Sequence, residues 1–209
     1  MDECCRFEGH PDNSTPSLVG GMVACFQTQA IEHGTHEAEP HATHGASTEP
    51  LVGYVPIALN PGIAAVVVIP EFELSTAKAR GVVPQSFSRA DLVFNLQRVS
   101  VLCAGLSAHE LDVRVLHEAM KDRVHQPYRA ALVPGLSEAL ELDVSQCPGL
   151  IGACLSGAGP TILALCYPAT HASQVGERIV GIFERHGIRS RAFEAPIQAS
   201  GATVETRAL

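Results

Sequence analysis

The chemistry this sequence can offer is concentrated in a few short stretches. Gly152-Ala-Cys-Leu-Ser-Gly-Ala-Gly-Pro-Thr161 is an apolar approach that turns through Ser156, Gly157, Ala158 and Gly159 and resumes as far as Leu165. Glycine removes the Cβ that would block a ligand and tolerates positive φ, so backbone N–H groups in such a turn can approach an anion closely. The same residues also suit a plain glycine-rich hairpin with no ligand. Asp2 and Glu3 carry the hard carboxylate oxygens that Mg²⁺ prefers, and a solvated chain end explains them as well. Asp12 and Asn13 stand where a short helix begins, as N-caps or as groups that meet a hydroxyl beside a phosphoryl group. Arg80 and Arg129 offer planar guanidinium forks that bond a carboxylate in bidentate fashion. With Asp12 for an ammonium, these charges suit a zwitterionic amino acid.

The elements that must position these groups are legible in outline. Ser14 to Val19 reads as a short helix stopped by Gly20-Gly21, and Met22 to Gln27 as a strand. Leu51 to Leu59, the Asn60-Pro-Gly62 turn and Ala64 to Ile69 read as a hairpin. Ser75 caps a helical turn that carries Arg80. Val82-Val-Pro84 marks a boundary, giving a first domain over 1–83 and a second over 84–209. Ser88 with Asp91 opens a helix whose Leu92, Val93, Leu96, Val99, Leu102, Cys103 and Leu106 recur at helical spacing, as a core scaffold would. A second helix covers about Glu110 to Met120. Arg129 follows Pro127-Tyr128 on a segment expected to be extended or looped. Another short helix, strands at Gly149 to Leu155 and Thr161 to Tyr167, a helix burying Val175, Ile179, Ile182 and Phe183, and a strand from Ile188 to Ile197 complete an α+β second domain.

Composition narrows the partners. The 209 residues are 46% hydrophobic and 17% charged, enough for one large or two small domains. A net charge of −8 without clustered Lys or Arg argues against a nucleic acid or an anionic membrane surface. No apolar run approaches the roughly 18 to 20 residues of a bilayer span. Seven cysteines, an odd number without CxxC spacing, read as free thiols of a reducing compartment, and Met1-Asp-Glu-Cys lacks a signal-peptide profile. Residues 29–50 are polar, small and aperiodic, as in a disordered or solvent-exposed insertion. Their His33, His36, His41 and His44 invite a metal-tract reading, but nothing nearby supplies the fixed second shell a metal site requires.

Three motifs in register resemble the homoserine kinases of the GHMP small-molecule kinase superfamily, and the fungal ones most: Glu8-Gly-His-Pro-Asp-Asn13 with Leu18-Val-Gly-Gly21, Met120-Lys-Asp-Arg-Val-His-Gln-Pro-Tyr-Arg129 with the following Pro134-Gly135, and the Ser156-Gly159 loop. The ending Gly201-Ala-Thr-Val-Glu205 fits the same pattern. The resemblance implies a two-domain GHMP fold with a ferredoxin-like second domain. It also implies transfer of the γ-phosphate of ATP to the side-chain hydroxyl of L-homoserine, on the route to threonine, in the cytoplasm. It gives Asp12 the substrate ammonium, Asn13 the reacting hydroxyl, Arg80 and Arg129 the carboxylate, Asp2 the magnesium, and Ser156 to Gly159 a place in the nucleotide-binding centre. Asp122, Arg123 and His125 read as a network bracing the loop, with substrate binding as the alternative. No base is assigned to His125, because positioning and charge neutralisation carry the reaction in this family.

One element of the pattern is missing. These kinases carry a Gly-Leu-Gly-Ser-Ser phosphate loop ahead of the Glu-Gly-His-Pro-Asp-Asn motif, and no Gly-Ser-Ser or Walker-type run occurs in the 209 residues. The chain therefore reads as the C-terminal portion of a kinase, with an incomplete first domain and Met1 an internal methionine of a longer parent. An inactive fragment, able at most to bind or to form a homodimer, and a GHMP kinase for another alcohol stand as the alternatives.

Overall fold

The computed structural model describes residues 1–28 and 51–205, so the proposed insertion over 29–50 and its histidines lie outside the described residues. Its contacts divide into two compact units, Met1–Ala58 with Gln198–Leu209, and Leu59–Ile197.

In the first unit, α1 (Asp2–Glu8) packs on α2 (Ser14–Val19), and β1 (Met22–Gln27) pairs antiparallel with β2 (Val52–Ile57). Among the described residues the pair forms a sheet of two strands, beside a core of Cys5, Leu51 and Val52. Phe26 stands opposite Gly53, and its ring occupies the space a Cβ at Gly53 would need. The segment after Ile197 returns to the end of α2: Gly21 N–H donates to Gln198 O at 2.6 Å and Ala202 N–H to Leu18 O at 3.3 Å.

The second unit runs β3 (Ala64–Pro70), α3 (Thr76–Gly81), α4 (Arg89–Leu106), α5 (Val113–Ala119), α6 (Gln126–Arg129), α7 (Leu136–Leu140), β4 (Leu150–Leu155), β5 (Ile162–Cys166), α8 (Ala172–Arg185) and β6 (Ser190–Ala195). Its antiparallel sheet has the order β4-β5-β3-β6, the ferredoxin-like arrangement in which the first strand lies between the third and the fourth. Val66 and Val68 of β3, Ile162 and Ala164 of β5, and Val175, Ile179, Ile182 and Phe183 of α8 share one core. Gly187, with φ 75°, ends α8. Its N–H bonds Glu184 O at 2.9 Å and that of Ile188 bonds Phe183 O at 2.9 Å, a Schellman closure that turns the chain into β6.

The expected hairpin of Leu51–Leu59 with Ala64–Ile69 does not form. β2 pairs with β1, whereas β3 is an interior strand of the second sheet, where apolar residues on both of its faces find cover. The intervening turn is held elsewhere: Asn60 Nδ2 donates to Ala108 O at 2.9 Å and His109 O at 3.0 Å, and Asn60 N–H to Leu106 O at 2.9 Å. β3 and α3 accordingly join the second unit, and the units divide at Ala58 and Leu59 rather than at the expected 83 and 84.

The expectation that α4 is core scaffold is also corrected. Its start is capped as read, with Asp91 N–H on Ser88 Oγ at 3.1 Å. Leu106 is buried, but Leu92, Val93, Leu96 and Val99 are exposed, while Phe94, Asn95 and Arg98 are partly covered. The inward side of this helix is occupied by polar contacts described below, and these turn its aliphatic stripe outward.

Candidate active site

The site in the second unit is built on the loop between α5 and α6. Asp122 is its hub: Asn95 Nδ2 donates to Oδ1 at 2.6 Å, as does Val124 N–H at 2.9 Å, while Oδ2 accepts from His125 N–H at 3.0 Å and from Gln126 N–H. Asn95 Oδ1 in turn accepts from Arg123 N–H at 3.0 Å. Burial disfavours the Asp122 carboxylate, but the bonds from Asn95 and the three N–H groups outweigh it and hold its pKa below the ordinary value. Arg98 and Arg123 bracket the Phe94 ring, their guanidinium centres 3.2 and 4.0 Å from its centroid.

Asp122 also explains why Arg129 is helical rather than extended. Its carboxylate gathers the N–H groups of residues 124 to 126 and serves as the cap of α6, while Pro127 sits in the first turn, where no N–H is required. Gln126, ahead of the proline, is thereby held in α6. Its buried Oε1 accepts from Leu155 N–H at 2.8 Å, tying α6 to the end of β4.

This frame aims Arg129 inward. The residue is 5% exposed, its Nε donates to Ala79 O at 2.9 Å and its Nη1 to Gly157 O at 3.0 Å. Both partners are neutral carbonyls, and among the described residues Arg129 makes no ion pair. Burial lowers its pKa, the charge of Arg80 lowers it further, and Asp122 opposes both. The structure thus brings together Arg80 at the end of α3, Arg129 at the end of α6 and the Ser156–Gly159 loop: two cations and no paired carboxylate on the buried one. Burial and the charge of Arg129 lower the pKa of His125, against the pull of Asp122. A cleft of about 730 Å³ on the other flank of the loop is lined by Phe94, Arg98, Met120, Asp122 and Gln126 but by neither Arg80 nor Arg129. The positive charge, rather than the concavity, marks the site.

The loop itself uses part of its donor capacity internally. Ser156 N–H bonds Thr161 O at 2.8 Å and Gly159 N–H bonds Ser156 O at 3.1 Å. Gly157, at φ 58°, has open space where a Cβ would be, and Gly157 and Ala158 keep N–H groups outside these two turns. Two N–H groups do not make a full phosphate cradle.

The other expected residues belong to the first unit. Asp2 lies in the first turn of α1, and its Oδ2 accepts from Leu51 N–H at 3.2 Å. Asp12 is exposed and contacts His10 Nδ1. Asn13 holds the N-cap position of α2 but in αR conformation and without a side-chain cap bond; only its carbonyl engages the helix, accepting from Ser17 Oγ at 2.8 Å. The capping reading of Asn13 is therefore not what this side chain does. Among the described residues no group of three or more His, Cys, Asp or Glu is poised to hold a metal. A single carboxylate such as Asp2 still suits Mg²⁺, which takes one or two carboxylates and fills its remaining positions from phosphates and water.

Residues 106–184 match the family described as GHMP kinases C terminal. The homoserine kinase of Schizosaccharomyces pombe is 39% identical over 213 residues, covering 98% of this chain and 62% of its own. The chain carries a GHMP kinase C-terminal domain and is, over most of its own length, a partial homologue of the homoserine kinases. The Saccharomyces cerevisiae homoserine kinase is 40% identical over 205 residues, 90% of this chain and 57% of its own. A crystal structure of homoserine kinase from Cytophaga hutchinsonii shares the fold, with a TM-score of 0.72 at 24% identity over 92% of this chain and 53% of that one. The chain thus spans roughly three-fifths of the length of the curated kinases it matches. Its sheets are antiparallel, as in the GHMP second domain, and no described helix is long and apolar enough to cross a membrane.

Two residues that brace this loop were not singled out in the sequence, Asn95 and Gln126. A polar Asn between Phe94 and Leu96 is the signal that could have found the first. Gln126 had none beyond its place in the motif.

Proposed function

We propose that this chain carries the substrate-carboxylate side of a homoserine kinase, an enzyme that transfers the γ-phosphate of ATP to the side-chain hydroxyl of L-homoserine and yields O-phospho-L-homoserine for threonine synthesis in the cytoplasm. The observation that supports this reading is Arg129: a buried guanidinium bonded only to carbonyls, beside a second arginine, calls for a small anion. A carboxylate docked there would gain a bidentate partner in a site shielded from water. By family resemblance Arg80 shares that carboxylate, Asp12 takes the ammonium and Asn13 orients the hydroxyl. ATP enters as the phosphoryl donor with Mg²⁺ on Asp2, and Ser156 to Gly159 border its phosphates. His125 is assigned no proton to abstract in this scheme; in-line positioning and charge neutralisation carry the transfer.

A second reading has the chain bind L-homoserine without turning it over. Calorimetric titration with L-homoserine, alone and with Mg-ATP, together with a coupled ADP-release assay, separates the two. Binding that disappears in Arg129→Ala with homoserine-dependent ADP release supports the kinase. The same binding without ADP release supports the half-site. No binding of L-homoserine to the folded chain overturns both.

A further inference from the structure

The cleft of about 730 Å³ beside the α5–α6 loop has no part in the scheme above, yet its lining carries polar groups whose bonding capacity is largely open. Arg98 and Arg123 both line it, each placed by stacking on the Phe94 ring. Among the described residues the Arg123 guanidinium makes no hydrogen bond, only an approach to Asp91 at 3.8 Å. Arg98 donates through Nη1 to Phe94 O at 3.4 Å and stands 3.8 Å from Glu118, and its buried Nε has no acceptor. Most of the N–H donors of both forks are therefore open. The acids of the lining are mostly committed. Asp122 is saturated by its four donors, Asp143 accepts from Ser145 and Gln146, and Glu118 is paired with Lys121. That leaves Glu141 as the one lining carboxylate without a bonded donor among the described residues, against two open guanidinium forks.

The outer edge of β4 adds a second, independent feature to the same cleft. β4 is an end strand of its sheet, and Ser156 N–H points inward to Thr161 O while Leu155 N–H points off the sheet to Gln126 Oε1. By the alternation of an antiparallel ladder, the N–H and C=O of Ala153 also point off the sheet. Ala153 lines the cleft at 5% exposure, and among the described residues no group beyond the sheet bonds its backbone. A buried donor and acceptor left without partners are uncommon and mark a place where a ligand can supply them.

We propose that this cleft binds a small organic phosphate, with its phosphoryl group on Arg98 and Arg123 and its organic part against Met120, Leu140 and the backbone of Ala153. A phosphate monoester matches the two cations in charge, and its three terminal oxygens can accept from both forks, whereas one fork already occupies both oxygens of a carboxylate. The volume selects an ester over a free ion, because a cleft of this size takes a small molecule and an ion would leave most of it to water. The site stands apart from the Arg80–Arg129 pair, since neither arginine lines the cleft, and it requires no turnover of homoserine.

The test titrates the folded chain with glycerol 3-phosphate, inorganic phosphate and succinate, followed by calorimetry and by NMR of the arginine Nε–H and backbone amide signals. Glycerol 3-phosphate is expected to bind with a Kd below about 1 mM, to move the Arg98 and Arg123 Nε–H signals, and to move the Ala153 amide, which inorganic phosphate should leave in place. Succinate should bind at least about ten-fold more weakly. Arg123→Gln, at a side chain 52% exposed, should fold normally and weaken glycerol 3-phosphate roughly ten-fold, as should Arg98→Gln, while Arg123→Lys recovers part of the loss. Arg129→Ala should leave this binding unchanged. No shift at Arg98 or Arg123 up to about 10 mM glycerol 3-phosphate overturns the proposal. So does binding that Arg129→Ala removes and Arg98→Gln and Arg123→Gln do not, since the phosphate would then sit at the Arg80–Arg129 pair. Equal affinity for inorganic phosphate and the ester, with Ala153 unmoved by both, overturns the organic ligand. A parallel L-homoserine titration of Arg123→Gln reports separately on the carboxylate site, so the failure of one reading is distinct from the failure of the other.

Discussion

Arg129 donates through Nη1 to the carbonyl of Gly157 at 3.0 Å, so the cation expected to hold substrate and the loop expected to border the nucleotide are one hydrogen-bonded unit. The backbone of Gly157 reaches this contact at φ 58°, a conformation that glycine adopts without a steric penalty. Moving either partner moves the other, and the Ala79 carbonyl on Nε extends the unit to the turn of α3 that carries Arg80.

This coupling makes Arg129→Lys informative. Lysine keeps the charge but cannot donate to Ala79 O and Gly157 O and still present a fork to a carboxylate. The expected outcome is a loss of L-homoserine affinity of about 2 kcal/mol, roughly thirty-fold in Kd, with faster amide exchange at Gly157 and Ala158. An affinity within about two-fold of the parent would show that the fork is not what binds the substrate.

Asp122 should be a stability residue before it is a substrate residue. Asp122→Ala strands Asn95 Nδ2 and three backbone N–H groups, at a cost on the order of 3 kcal/mol, whereas Asn95→Ala removes one of those donors and costs about 1 kcal/mol. Because its folded pKa is depressed, the Asp122 contribution is present above its ordinary value near 3.8 and is lost as the pH falls through the lower folded value. Denaturant titrations across that acid range should therefore show the gap between parent and Asp122→Ala narrowing. A gap that stays constant to the lowest pH at which the chain is folded would contradict the hydrogen-bonded carboxylate.

His125 titrates in the opposite chemical sense but with the same sign of pH dependence. Burial and Arg129 disfavour its imidazolium, so the unfolded chain binds that proton more readily than the folded one. Its contribution is whole above the ordinary value near 6.5 and declines as the pH falls from there toward the depressed folded value. His125→Gln should flatten this part of the stability profile, and the His125 ring should titrate below 6.5 in proton NMR. A ring titrating above that value would mean the Asp122 attraction prevails over burial.

How much of this was readable beforehand depended on whether the deciding contact was local. The Ser75 and Ser88 caps, the Gly187 stop and the burial of Val175, Ile179, Ile182 and Phe183 depend on neighbours within a turn or two, and the structure has them as read. The pairing of β3 depended on which edge it met across the fold, and local hairpin chemistry at Asn60–Gly62 pointed to the wrong partner. For α4, periodicity located the apolar stripe correctly but not the side it would face, because Asn95 is committed to Asp122, 27 residues along the chain. Arg129 was identified by resemblance, while its helical setting follows from a cap that lies outside the helix it serves.

The last contact with a sharp prediction joins the two ends of the first unit. Gly20 sits at φ 85°, where a Cβ would come within 2.5 Å of the Ser200 carbonyl carbon, and a Cβ on Gly201 would lie on the Leu18 carbonyl. These neighbours are backbone atoms and cannot rotate away, so Gly201→Ala must displace the segment from Gln198 to Ala202 from the end of α2. Gly21 has φ 66° but nothing within 4 Å of its Cβ position, so Gly21→Ala bears the backbone strain alone, about 1 kcal/mol. Gly201→Ala is expected to cost more, about 2 to 3 kcal/mol, and to free the Gly21 and Ala202 amides for exchange. If the two variants were equally stable, with both amides still protected, the return of the C-terminal segment would not be a packed contact. The Gly-Gly and Gly-Ala-Thr-Val motifs would then have to be explained apart from each other.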